Sequence, residues 1–263
     1  MPELYLYVAV GVFGSLIGSF LNVCIYRIPE KKSIVSPSSS CPSCGRAIRF
    51  YDNIPVLSFI MLRGRCRNCS FPISIKYPFV EVLTATFAIA LYVRFGLSGE
   101  FLLFGVLTTA LITITFIDLT HRIIPDVISL PMIAVGFIAT IAMRYPDILE
   151  GVLFSFTGIV VGGGVLLGVA LIYHLVTGTE GMGGGDVKLL AMIGAFIGWK
   201  GVVFTLFGAS TFGALVGVGF MVIFGKKAKY ALPFGPFLAI GALIYIFCGE
   251  AIIGWYINTL WNV

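Results

Sequence analysis

The chain has 263 residues; Ala, Val, Ile, Leu, Met, Phe, Trp, Tyr and Cys make up 59% of it and charged residues only 11%. A soluble domain carries about 25% charged residues, and a globular chain of this size cannot cover its surface with so few. A soluble enzyme, a disordered chain and a disulfide-rich secreted domain are excluded, which leaves an all-α polytopic membrane protein. The net charge of +5 does not point to nucleic acid, because its basic residues mark loops between apolar runs rather than one binding face.

A spanning helix needs about 20 mostly apolar residues. The first run covers 4–26. It has no basic segment before it and no small-residue cleavage site after it, so it reads as a span and not a secretory signal. Residues 28–76 form a polar insert. Further apolar runs cover 78–93, 101–117, 127–143, 151–175, 189–199, 201–224 and 234–257. This predicts about eight spans, with the short run 189–199 the least certain boundary. The chain divides into a first transmembrane helix (1–27), a cytoplasmic insert (28–76) and a helical membrane domain (77–263). Glycines at 162–164 and at Gly213 and Gly217 predict close helix packing through small residues.

The basic residues orient the spans. With the N-terminus outside, fourteen of the seventeen fall in inside segments: nine from Arg27 to Lys76, then Arg122, Lys188, Lys226, Lys227 and Lys229. Only Arg94, Arg144 and Lys200 fall outside. The reverse orientation breaks the positive-inside rule almost everywhere. The insert and the loops at 118–126 and 176–188 therefore share the cytoplasmic face.

Within the insert, Cys41-Pro-Ser-Cys44 and Cys66-Arg-Asn-Cys69 form two Cys-x-x-Cys pairs. Each pair puts two thiolates on one tight turn, which Gly45 favours. Two such turns complete a tetrahedral four-sulfur site with no open position, so a bound zinc would be structural. A polar insert of this size has too little apolar core of its own. Disulfides, a redox pair and iron–sulfur ligation are the alternatives. Cys24 and Cys248 lie in apolar runs and read as packing residues.

Two acids differ from those in solvated loops. Asp118 ends the apolar run 111–117, and Asp186 follows Gly183, Gly184 and Gly185; both fall at inner ends. Ionisable groups at the bilayer edge are costly and mark function. Glycines beside Asp186 leave room for another chain to approach. A phosphate loop is disfavoured, since an acid sits in the loop and no Ser or Thr follows Lys188. Two close carboxylates share one proton, and such a pair hydrolyses a peptide bond without metal. The alternative is that both are helix-end residues paired with Arg122 and Lys188. A zinc-responsive transporter would need polar residues at mid-span, and the spans offer mainly Ser, Thr and Gly; His174, near an inner end, reads as a packing residue.

The motifs resemble those of type IV prepilin peptidases, which are GxGD-type membrane aspartic proteases. They are Gly18-Ser-Phe-Leu-Asn22-Val23 with Arg27 and Pro29, the two cysteine pairs, and Tyr77 through Glu81. Asp118 through Asp126, Gly183 through Leu189, and Pro233 through Leu238 complete the series. The resemblance implies an enzyme of the bacterial inner membrane with Asp118 and Asp186 as the catalytic pair. Asp126, Gly183, Gly185 and Lys188 would support it, Asp126 also as a cap of the next helix. Its substrates would be prepilins or pseudopilins, cut on the cytoplasmic side. It also implies N-methylation of the new terminus with S-adenosylmethionine, with Asn22 and Glu81 as candidate cofactor contacts. Interhelical hydrogen bonding is the other reading of that pair. A peptidase that has lost methyltransfer is the remaining alternative.

Overall fold

The structure, a computed structural model, describes residues 2–179, 183–225 and 233–261. Lys226, Lys227 and Lys229, three of the basic residues that orient the spans, lie outside the described residues. Among the described residues all regular structure is helical apart from two isolated β-bridges. The α-helices are α1 (Pro2–Arg27), α2 (Leu57–Met61), α3 (Lys76–Phe95), α4 (Gly99–His121), α5 (Asp126–Met143), α6 (Ile148–Thr177), α7 (Gly184–Phe224) and α8 (Gly235–Trp261). All except α2 are long and apolar enough to cross a membrane, so the chain is a multi-pass membrane protein.

The chain forms two compact units, Met1–Thr113 and Ile114–Val263, divided within α4. In the first unit α1 lies on α3 through small residues. A Cβ on Gly14 would stand 2.8 Å from the Ala88 Cβ, and one on Gly18 would stand 2.7 Å from the Glu81 Cα. Lipid gives apolar helices no hydrophobic reason to associate, so this close approach of backbones supplies the contact.

In the second unit α7 packs against α5, α6 and α8. It is one helix by its hydrogen bonds but two by its path. Gly198 has φ 69° and ψ 177°, a region only glycine occupies readily. The Cβ position of Gly194 lies 2.9 Å from the Val202 Cγ2, whereas eight residues of straight helix span about 12 Å. The chain therefore turns back at Gly198. The apolar runs 189–199 and 201–224 are the two legs, which makes eight helical rods with the other six spans.

Reversing a helix strands carbonyls of its last turn. Ala195 is in that turn, and its oxygen accepts bonds from the Thr140 hydroxyl (3.1 Å) and the Ser155 hydroxyl (2.8 Å). Both residues are fully buried. The first leg lies against α6 at Gly158 and Gly162, where an added Cβ would run into the Gly194 and Leu190 carbonyls. The expected packing role thus holds at Gly162, while Gly164 faces open space. His174 and Cys248 are exposed rather than packed, and Cys24 is buried.

Candidate active site and metal centre

The ends of four helices meet at one end of the second unit. Asp118 lies in the last turn of α4, which closes with the Arg122 amide donating to the Asp118 carbonyl (2.9 Å). Its side chain is only 5% exposed. The Gly235 amide, at the start of α8, donates to Asp118 Oδ2 (3.1 Å). A Cβ on Gly235 would stand 2.6 Å from that same oxygen, so the carboxylate occupies the space a side chain would fill.

Asp186 enters from the first turn of α7. Gly183 is the N-cap, and the Asp186 amide donates to its carbonyl (3.2 Å). The carboxylate is half-buried and close enough to that of Asp118 to feel its charge. Ile124, in the loop from α4 to α5, joins the two sides. Its side chain lies 2.9 Å from the Cβ position of Gly185 and 3.4 Å from that of Gly235. Gly185 is thus needed for close approach to Ile124, while among the described residues nothing comes nearer than 4.0 Å to a Cβ at Gly183 or Gly184. None of the three is among the glycines with positive φ, so room, and not unusual backbone, is what they provide.

Asp126 and Lys188 are also at this end, with side chains more exposed than that of Asp118. The Lys188 ammonium donates to both oxygens of Asp126 at 2.7 and 2.8 Å. It ties the start of α5 to the start of α7. The expected cap role of Asp126 is not observed: Pro125 is the N-cap, Asp126 is the first helical residue, and no side-chain cap bond forms. A carboxylate already held by an ammonium has no reason to bend back to its own helix. The alternative in which Lys188 pairs with Asp186 is likewise not what forms.

The first unit holds the other two sets of candidates. The Cys41, Cys44, Cys66 and Cys69 sulfurs all lie within 4.8 Å of one another, and Cys41 Sγ to Cys69 Sγ is 3.7 Å. A tetrahedral site with metal–sulfur bonds of about 2.3 Å has edges of about 3.8 Å, so the four residues fit such an ion. The two knuckles share one backbone design. The Cys41 amide donates to the Arg46 carbonyl and the Gly45 amide to the Cys41 carbonyl; Cys66 with Phe71 and Ser70 with Cys66 repeat this. Gly45 and Ser70 occupy the matching left-handed position, at φ 68° and 57°.

The amides of Cys44 and Ser43 hold the Cys41 thiol down at about 6. The Phe71 amide also lowers the Cys69 thiol, but burial and the three neighbouring sulfurs outweigh it and push it up to about 11. Four thiolates repel one another unless a cation stands between them. Arg67 reaches from the second knuckle to Asp52 in a forked contact, with Nη2 to Oδ1 at 2.6 Å. The Arg67 guanidinium holds the Asp52 carboxyl below its usual range.

Asn22 and Glu81 face each other's helices between α1 and α3, each 8% exposed. The Asn22 amide donates to the Tyr77 carbonyl (3.0 Å). Glu81 Oε2 accepts from the Val56 amide (2.7 Å), and the Ser19 hydroxyl meets the same carboxylate. The motif Gly18–Val23 thus serves one contact face, with Gly18 letting α3 in and Ser19 and Asn22 bonding to it. The structure adds Gly235 and Ile124 as site residues; both lie within motifs of the sequence, but neither carries a role there.

These features define a polytopic helical membrane protein with paired carboxylates at one end of a bundle and a separate four-thiol centre. Residues 12–95 match the family model of the Bacterial Peptidase A24 N-terminal domain, and residues 105–218 match that of the Type IV leader peptidase family. Three relatives are each named "Prepilin leader peptidase/N-methyltransferase". That of Aeromonas salmonicida is 34% identical over 99% of this chain and 96% of its own. That of Pseudomonas putida is 38% identical over 96% and 94%, and that of Myxococcus xanthus 40% over 82% and 63%. No solved structure matches. The chain belongs to the type IV leader peptidase family.

Proposed function

We propose that this chain cleaves the leader from type IV prepilins or pseudopilins and then methylates the new N-terminus. Asp118 and Asp186 carry out the cleavage. The observation that supports this most directly is a buried Asp118 carboxylate, held by the Gly235 amide and within electrostatic reach of Asp186. One carboxylate takes a proton from the attacking water while the other, protonated, polarises the scissile carbonyl. The proton positions reverse as the amine leaves. The open space at Gly183 and Gly184 admits the substrate strand, and the Asp126–Lys188 pair keeps α5 and α7 in register around it.

The charge distribution supports an inner-membrane location with the N-terminus outside and this site at the cytoplasmic face. The insert 28–76 is read as the methyltransferase-associated region, stapled by a structural zinc on the four cysteines. S-adenosylmethionine supplies an electrophilic methyl group when bound. Glu81, a buried carboxyl group, suits the positive charge of that donor, and Asn22 fixes the helix pairing that presents it.

Asp118→Asn and Asp186→Asn are each expected to abolish leader cleavage by the reconstituted, membrane-inserted enzyme. Cleavage at the normal rate by either variant would rule out the dyad. Labelled S-adenosylmethionine and a pre-cleaved pilin test the second activity separately. Unlabelled pilin would leave a peptidase alone.

A further inference from the structure

The short helix α2 (Leu57–Met61) presents an apolar face that the fold does not cover. Leu57, Ile60 and Met61 are 58%, 64% and 78% exposed. Their spacing puts all three on one side of a helix. The other side is used internally: Ser58 is buried and donates to the Tyr51 carbonyl (2.9 Å), and the Phe59 ring lies 3.1 Å from the Cβ position of Gly64. In an insert surrounded by water, this face would have no reason to be apolar.

Its depth is fixed by the Val56 amide, which donates to Glu81 Oε2. Val56 immediately precedes α2. Glu81 is five residues beyond Lys76, the start of a membrane-spanning helix. At 1.5 Å per residue this is about 7.5 Å below the level of Lys76. Lysine and tyrosine, here Lys76 and Tyr77, are the residues that mark the headgroup level. Amphipathic interfacial helices lie about 5–10 Å into that zone. Phe79 and Val82 of α3, at this level, are exposed, as the lipid-facing side of a span must be. The apolar face of α2 therefore stands at a depth where lipid is available to cover it. Beyond its end, Arg63 and Arg65 are exposed, and such cations suit anionic headgroups.

We infer that α2 is an interfacial helix, with Leu57, Ile60 and Met61 buried in the acyl–headgroup boundary of the bilayer and Arg63 and Arg65 on anionic lipid phosphates. The inference rests on the membrane spans and not on the proposed activity. It predicts where lipid touches the full-length protein. Met61→p-benzoylphenylalanine and Leu57→p-benzoylphenylalanine, photolysed in nanodiscs of phosphatidylethanolamine and phosphatidylglycerol, should yield lipid adducts by mass spectrometry. The same probe at Asn68, exposed on the second knuckle, should yield at least about five-fold less, since a headgroup-level helix and a water-exposed turn differ in acyl contact. Arg63→Gln with Arg65→Gln should reduce the phosphatidylglycerol share of the adducts. No lipid adduct at positions 57 and 61, or adducts only to a pilin substrate or a second copy, would overturn the inference. A phosphatidylglycerol share unchanged by the arginine substitutions would overturn the headgroup assignment.

Discussion

At Asp118 a single glycine decides where the carboxylate stands. The Gly235 amide bonds to Oδ2, and a Cβ there would stand 2.6 Å from the same oxygen. Gly235→Ala must therefore push the carboxylate aside while leaving both aspartates in the chain. A misplacement of about 1 Å in a reacting group costs about a hundred-fold in rate. The expected outcome is a fall of that order in kcat for leader cleavage, with the thermal unfolding midpoint retained. Ser70 offers the opposite case. It holds the left-handed position that Gly45 holds in the other knuckle, at a cost of about 1–2 kcal/mol for a residue with a Cβ. Glycine gives back about 0.5–1 kcal/mol in chain entropy. Ser70→Gly should thus stabilise the insert by up to about 1 kcal/mol, read as slower metal loss to a chelator, while Ser70→Val should do the reverse. The cysteines were legible in the sequence because a metal turn is local: each pair is fixed by four residues. The meeting of Asp118 with Gly235 was not, because the partners are 117 residues apart and their contact exists only through the packing of α4 and α8.

The elements show which glycines serve packing and which do not. Composition alone marks α6 as glycine-rich, but its glycines are not equivalent. An added Cβ at Gly158 would strike the Gly194 carbonyl, whereas Gly164 has nothing within 4 Å. Gly158→Val should destabilise the protein by at least about 1–3 kcal/mol, the range for overpacking. Gly164→Ala should be neutral or stabilise it by up to about 1 kcal/mol through helix entropy. Thermal unfolding of the two variants in detergent compares them directly. Equal loss in both would mean that the α6–α7 contact does not carry the bundle. The run pattern located the spans because hydropathy follows the bilayer. It left 189–199 uncertain because that run is the short leg of a reversed helix, and the reversal depends on the φ of one residue, Gly198, and on hydroxyls from Thr140 and Ser155 elsewhere in the chain.

For the molecule in its membrane, the short leg has a further consequence. Residues 184–197 span about 21 Å at 1.5 Å per residue, against a hydrocarbon core of about 30 Å. Trp199 and Lys200 follow the reversal and are exposed, as residues anchoring a membrane interface would be. Measured inward from that level, the leg ends about 9 Å short of the far boundary. Asp186, in its first turn, then lies below the surface of an unperturbed bilayer. Water and a peptide must still reach it, so either the bilayer thins there or the open space at Gly183 and Gly184 conducts them in. Mismatch costs fractions of a kcal/mol per Å, so about 9 Å of it makes bilayer thickness a strong variable. Reconstitution in lipids with short and long acyl chains separates the two routes. If thinning supplies access, leader cleavage should be several-fold faster in the short-chain bilayer, with the thermal unfolding midpoint shifting in the same direction. A rate independent of chain length would place the access route within the protein itself, beside Gly183 and Gly184.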